Sequence, residues 1–303
     1  MSRREHQRTK PLAFWRNDLT RGTVLVVGSA IAYSLSGYFT RIIADDLWTV
    51  LFWRGIFGAA FIGICAVMQP PSSNDRFLRT FWGAGLWVTL FSTVATVCYI
   101  ASLKLLPVAE VMTVHAALPF VTAVMGVVIL RERETLTTLI AAAVAFAGVF
   151  VIFDPRADET HLAGFALVIL MVLAYGAMLV LIRRSRDISM LPAACLSALL
   201  CAAISLPLAA PHCPGSAEII ELLLFGTIQF GGGLLLMTWG TRLVSAPRAA
   251  LIGSIENPLA PFWVWVAFGE RPSQAACIGG TIVVAAVFCD IAIKALRANR
   301  AGC

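Results

Sequence analysis

From Gly22 to the C-terminal end, the sequence returns again and again to apolar stretches close to span length, joined by short polar connections. A helix of about 20 apolar residues matches the ~30 Å hydrocarbon core of a bilayer, and buried helices of soluble domains seldom reach that length. These stretches predict ten membrane spans, at 22–42, 47–68, 80–102, 108–130, 136–153, 163–183, 190–210, 217–241, 247–268 and 274–296. The composition agrees: 59% of residues are hydrophobic and 13% are charged, against about a quarter charged in a soluble domain. The fold class expected is all-α integral membrane, and the short connections leave no room for a soluble domain.

The net charge of +6 reports topology here and gives no reason to expect a nucleic-acid partner. Of 23 Lys and Arg residues, 18 fall in or at the edges of the tails and the loops after spans 2, 4, 6 and 8, where Arg131, Arg133, Arg183, Arg184, Arg242 and Arg248 lie. Only Arg41, Lys104, Arg156 and Arg271 fall on the opposite face, and Arg54 lies inside a span. The positive-inside rule then places both tails, 1–21 and 297–303, in the cytoplasm, with a bacterial inner (plasma) membrane as the expected location. The basic N-terminal tail resembles the charged region of a signal peptide, but the apolar segment behind it has full span length and reads as an uncleaved first span. Eight cysteines show no CxxC or metal spacing, and most sit in spans as small hydrophobes. Cys213 and Cys277 share the outer face in this topology, which leaves a disulfide open.

The chain also repeats itself. At an offset of 142, Gly22, Leu25, Val26, Ala32, Tyr33 and Arg41 meet Gly164, Leu167, Val168, Ala174, Tyr175 and Arg183. At an offset of 138, Glu132-Arg133 meets Glu270-Arg271, followed by Ile140/Ile278, Ala147/Ala285, Val149/Val287 and Phe150/Phe288. Apolar matches come cheaply between membrane segments, whereas the Tyr, Arg and Glu-Arg matches do not. The expected organisation is two five-span repeats, 22–153 and 163–296. Five is odd, so the second must enter the bilayer inverted. Inverted repeats are the architecture of many secondary transporters, whose halves exchange conformations to face either side.

The segments LPFVTAVMGVVILRERETLTTLIAAAVAFAGVFVI and ENPLAPFWVWVAFGERPSQAACIGGTIVVAAVF resemble the paired repeats of EamA-type transporters of the drug/metabolite transporter superfamily. Each has a Pro in the upstream span, an apolar run, a Gly-Glu-Arg-like turn and a last span rich in small residues. The turn reads Gly269-Glu270-Arg271 in the second copy but Arg131-Glu132-Arg133 in the first, a departure from the pattern. FWRG around Arg54 resembles an Arg common in that family's second span. The resemblance implies ten helices around a central cavity, and export or exchange of small metabolites such as amino acids.

Polar side chains in hydrocarbon are costly unless they face protein or water. Span 1 carries Ser29, Tyr33, Ser36, Gly37 and Thr40 on one face. Span 3 carries Trp82, Gly85, Thr89, Thr93 and Thr96, and span 4 carries His115, Pro119, Thr122 and Gly126. Span 9 carries Gly253, Glu256, Asn257, Pro258 and Pro261. Each Ser or Thr alone could serve helix packing; the stripes together read as a cavity wall. Glu256 lies deep in span 9 beside a Pro that cannot join the helix ladder, and either takes part in substrate or proton binding or ties two spans together. Arg54 either forms a structural ion pair with Glu110, Asp45 or Asp46, or recognises a carboxylate through its guanidinium fork. His115 could titrate or simply pack. Tyr33, Trp87, Tyr99, Tyr175 and Gln229 are further candidate liners, and Trp239 reads as an interface anchor.

Other residues read as structural. Glu132 and Glu270 suit helix N-termini and adjacent basic partners. Asp290 stands one turn before Lys294. Gly55, Ala59 and Gly63 form a small-residue ridge, as Gly279-Gly280 also could. No cofactor or metal is expected, because the histidines at 6, 115, 161 and 212 are scattered and no acidic pair has metal spacing. The partners expected are the lipid bilayer and a small-molecule substrate, with a homodimer left open. An integral membrane enzyme of lipid or polyprenyl metabolism is the alternative, but it would want clustered Asp, His or Arg at a membrane face. No GxxxxGK[ST] motif occurs, so this chain alone is not an ATP-driven pump.

Overall fold

The computed structural model describes residues 10–68, 83–131, 134–184, 190–209, 214–244 and 246–301, and among these every regular element is helical. Seven helices are long and apolar enough to cross a membrane: Asp18–Ile42, Leu47–Val67, Ala84–Leu105, Val108–Leu130, Glu159–Arg184, Ser216–Gly240 and Gln274–Ile293. Two shorter apolar helices, Leu136–Ile152 and Leu191–Ser205, fall where spans 5 and 7 were expected. The ninth expected span is divided into Ala246–Gly253 and Glu256–Phe268. Side chains such as Val67, Val128, Leu136 and Phe150 are exposed. On a protein in water they would form an aggregating surface; in a bilayer they meet lipid.

Boundaries follow local chemistry. Asp46 caps the helix Leu47–Val67, accepting from the N–H groups of Trp48 at 2.9 Å and Thr49 at 3.3 Å. Burial works to raise the Asp46 carboxyl, but the hydrogen bonds from Thr49 and Trp48 prevail and hold it below the usual carboxylate value. Thr135 caps Leu136–Ile152 by accepting from Thr138 N–H at 3.3 Å. The third span begins at Ala84 and ends at Leu105, later at both ends than expected, because apolarity alone does not locate the Gly83 turn at φ 64°.

Three of the expected continuous spans are broken, at Leu35, at Ala117 and at Ser254–Ile255. At each break the chain tightens into 3₁₀ bonds: Leu35 N–H to Ala32 O, Ala117 N–H to Val114 O, and Ile255 N–H to Ile252 O, at 3.1–3.2 Å. Pro119 and Pro258, each just inside the following helix, cannot donate to the preceding turn. Ala117 and Ile255 stand 138 residues apart, the offset already read from the sequence. The helices that follow also end alike, with Arg131 at φ 55° and Gly269 at φ 70°, again 138 apart.

The most extensive helix pairings all join residues before 154 to residues after 159. Ala84–Leu105 packs on Glu159–Arg184, Leu47–Val67 on Met190–Ser205, Leu136–Ile152 on Gln274–Ala301, and Lys10–Ser34 on Gly233–Gly240. Small residues permit this. A Cβ on Gly55 would lie 2.7 Å from Ala198 O, and Cys195 Sγ reaches Ala59 O at 3.5 Å, so the small-residue ridge seats Met190–Ser205. Gly148 and Gly279 bring the backbones of their helices together in the same way. Asp290 accepts from Thr138 Oγ1 at 2.9 Å, crossing between helices; the Lys294 side chain lies outside the described residues. So do Trp82, Glu132, Arg133 and Cys213, while Cys277 is an exposed free thiol.

Left-handed backbone at a non-glycine residue costs about 1–2 kcal/mol, and Arg131 occupies the position that Gly269 fills in the second half. Arg131→Gly is therefore expected to stabilise the protein by about 1 kcal/mol, after allowance for glycine's larger unfolded-state freedom. Thermal unfolding in detergent measures this; a lower midpoint for the variant would contradict it.

Candidate functional site

A cavity of about 170 Å³ lies among the helices near their middles. It is smaller than the ~300–1,000 Å³ clefts that hold drug-sized ligands. Tyr33, Arg54, Tyr99, His115, Tyr175, Gln229 and Glu256 line it, together with Ser34, Ser92, Thr96 and an apolar wall that includes Met112, Met171 and Met178. Lining residues come from before 154 and after 162 alike.

His115, two residues before the Ala117 break, stacks on Tyr175 with ring centroids 6.2 Å apart and an interplanar angle of 22°. Tyr99 flanks it at the same separation. The Asn257 amide N–H donates to Ser254 O at 3.3 Å, filling part of the gap that Pro258 leaves in the ladder. Asn257 Oδ1 is thereby turned to accept from His115 Nδ1 at 3.0 Å. Glu256 Oε1 lies 3.7 Å from the same nitrogen. Acid, imidazole and amide thus meet where the two broken helices cross. One end of the cavity is acidic and aromatic.

Arg54 lines the same cavity. It is 6% exposed, and its Nη2 donates to Gln229 Oε1 at 3.3 Å. The rings of Phe225 and Phe230 cover the guanidinium at 4.8 and 4.6 Å. The expected ion pair does not form. Glu110 is taken by His161 Nε2 at 2.9 Å, and Asp46 is occupied as a helix cap. Gln229 and both phenylalanines lie on a π-helical stretch, Phe225–Gly232, inside the eighth expected span. π-turns of this kind recur at functional sites.

Several expected wall residues stand elsewhere. Ser36 is fully buried and meets Tyr99 Oη at 2.6 Å, holding a liner from behind. Thr93 bonds back to Thr89 O and across to Ser197, and Thr89 is buried beside it. Asn257 faces a separate groove of about 440 Å³ with Thr113, Pro261 and Gly280. Trp87 is 57% exposed and points away from the interior. A stripe on one helix face fixes direction to within a quadrant, which does not separate a wall from the layer behind it. Sequence reasoning passed over the methionines, which look like ordinary core, and over Phe225 and Phe230. The glycines around them (Gly226, Gly231, Gly232 and Gly233) were the available signal of an irregular helix.

The face carrying residues 41–47, 103–108 and 270 is sealed by an ionic knot. Arg41 donates to Glu270 at 2.8 Å and to the carbonyls of Leu103 and Leu106, and Glu270 accepts from Val108 N–H at 2.8 Å. Glu270 does serve a helix N-terminus, but its cationic partner is Arg41 and not the adjacent Arg271. Lys104 donates to the carbonyls of Ile43 and Asp45 at 2.9 Å each. No group of three or more His, Cys, Asp or Glu that could hold a metal occurs among the described residues.

The sequence model of the EamA-like transporter family matches residues 20–154 and again 162–290. A protein from Archaeoglobus fulgidus, named an uncharacterized transporter, is 26% identical over 297 residues, spanning 90% of this chain and 97% of its own. A solved crystal structure of a protein aligns over 93% of this chain and 98% of that one, with a TM-score of 0.55 at 20% identity. That last likeness is one of fold.

The π-helical stretch meets Leu47–Val67 at close range. A Cβ on Gly226 would lie 2.8 Å from Arg54 O and 2.9 Å from Gly58 N. Both are backbone atoms, which cannot swing aside. Gly226→Ala is expected to cost about 1–3 kcal/mol by overpacking, whereas Gly232→Ala, with only an ordinary contact at 3.4 Å, costs far less. Equal thermal midpoints for the two variants would contradict the close approach.

Proposed function

The chain belongs to the EamA-like transporter family and is an integral membrane protein, and on that premise we propose that it carries a small amphipathic metabolite across the bilayer by alternating access. Membership and the transporter-named relative point to transport rather than catalysis. The observation that carries the reading is the cavity itself: polar groups from both halves converge where Val108–Leu130 and the Ala246–Phe268 segment are interrupted. Interrupted helices line substrate sites in other transporters because their unpaired backbone groups are tolerated only beside protein or a solvated cavity.

The finer architecture we propose is ten spans in two inverted repeats, 22–153 and 163–296. Its supports are the breaks at Ala117 and Ile255, the left-handed caps at Arg131 and Gly269, and helix pairings that run from one half to the other. Both tails then lie on the cytoplasmic side of a bacterial inner membrane. Val88, Ile182 and Ala193, near the ends of their helices on the tail side, belong to the cavity lining, whereas the Arg41–Glu270 knot closes the opposite end. This conformation reads as facing the cytoplasm.

Among the lining residues, Glu256 is the candidate for substrate or proton binding, because its carboxyl lines the cavity and lies 3.7 Å from the His115 imidazole. Metabolite profiles of deletion and overexpression cells, inside and in the medium, identify the cargo: a compound building up outside on overexpression is expected. Reconstituted with that compound in proteoliposomes, Glu256→Gln is expected to lose pH-gradient-driven transport by about tenfold or more. Undiminished driven transport would remove Glu256 from the mechanism.

A further inference from the structure

We infer that Arg54 is the receptor for a carboxylate borne by the solute, and that Gln229, placed by the π-helical stretch, is the positioning residue that aims the guanidinium into the cavity. This rests on reading the cavity as the transport site.

A guanidinium carries five N–H donors and stays charged, and a buried charge is ordinarily paired with an acid. Arg54 lines the cavity, yet among the described residues its one hydrogen bond is the 3.3 Å contact to Gln229. Its Nε is fully buried and has no partner. Of the acids the sequence offered as partners, Glu110 is held by His161 and Asp46 serves as a helix cap, and among the described residues no acid acts on the Arg54 charge. The guanidinium sits over the rings of Phe225 and Phe230, contacts that use none of its in-plane N–H donors, and those are the donors that grip a carboxylate with two parallel bonds.

The π-helix makes this arrangement. Phe225, Gln229 and Phe230 all lie on this π-helical stretch, and all three reach the one cation. The Gln229 amide is held at both ends. Its Nε2 donates to Tyr33 O at 3.4 Å, next to the Leu35 break, and its Oε1 accepts from Arg54. A neutral amide at this point steadies the guanidinium without spending its charge.

The lining also selects among anions. Arg54 is the one Lys or Arg among the described lining residues, and Glu256 shares the cavity. One basic side chain beside one acid suits a monoanionic carboxylate better than a dianion such as phosphate.

Thermal shifts of the purified protein with each standard amino acid, its primary carboxamide, and inorganic phosphate test this. At least one free acid is expected to stabilise the protein, with its carboxamide weaker by about tenfold or more. Gln229→Glu hands Arg54 an internal carboxylate. The unliganded fold should be at least as stable, while affinity for the acid falls about tenfold or more; a merely structural contact would leave affinity unchanged. Should Gln229→Glu fail to fold, Arg54→Lys keeps the charge, lacks the fork, and should lose the same affinity. Carboxamides or phosphate binding as well as acids, no acid shifting the protein, or unchanged affinity in the folded variants would each overturn the inference. Export by cells of a solute without a carboxylate would overturn it too, and would leave transport standing; failure to export anything would remove transport itself.

Discussion

Every backbone N–H and C=O inside a bilayer must find a partner within the protein, and the placement of each helix interruption here follows from that demand. At Leu35, Ala117 and Ile255 the chain leaves α-geometry, and 3₁₀ bonds recover part of what is lost. Side chains recover more. Asn257 donates to Ser254 O, and Gln229 donates to Tyr33 O. At the sealed face, Arg41 and Lys104 satisfy carbonyls at the ends of helices, and Glu270 satisfies the N–H that opens another. The polar residues scarce enough to stand out in this sequence are largely spent on backbone groups. That expenditure permits bent helices, and bent helices enclose a cavity.

The apolar stretches made the spans legible, because span length and hydropathy are local properties. The proposed repeat reads from the sequence for a similar reason: matches such as Tyr33/Tyr175 and the Glu-Arg pairs come less cheaply between membrane segments than apolar ones. Arg131 was visible as a departure from the glycine in the second half, and the left-handed cap supplies its physical meaning. Breaks were less legible. Pro119 and Pro258 advertised them, but Leu35 has no proline nearby. Partners were least legible of all. Arg54 lies 56 residues from Glu110 in sequence, and nothing local reveals that His161 holds that acid or that Gln229, 175 residues away, is the group Arg54 meets.

The four polar candidates that stand off the cavity follow one rule. Ser36 braces the Tyr99 hydroxyl, Asn257 fixes the His115 ring, and Thr93 ties to Ser197 behind the wall that Ser92 and Thr96 face. Thr89, one turn before Thr93, supplies the carbonyl that Thr93 holds. A small site is precise only when its walls are themselves held by packing and hydrogen bonds. A polar stripe in a membrane helix therefore serves the site in depth, with long side chains at the surface of the cavity and short ones behind them.

In the proposed two-repeat architecture, symmetry supplies the frame of the cavity and asymmetry supplies its chemistry. Tyr33 and Tyr175, related by the 142-residue offset, both reach the cavity. The charged groups have no such counterparts. The position 138 residues before Glu256 is Leu118, and the helix Met190–Ser205, which packs against the helix of Arg54, contains no basic residue. Nor do Arg54 and Glu256 pair with each other: the acid sits against His115 and the base against Gln229. Had they met, each would have neutralised the other and the cavity would present no net feature to a solute. Held on separate helices by separate partners, the acid and the base both stay available to the cavity, which is what the proposed recognition of a solute with two unlike ends requires.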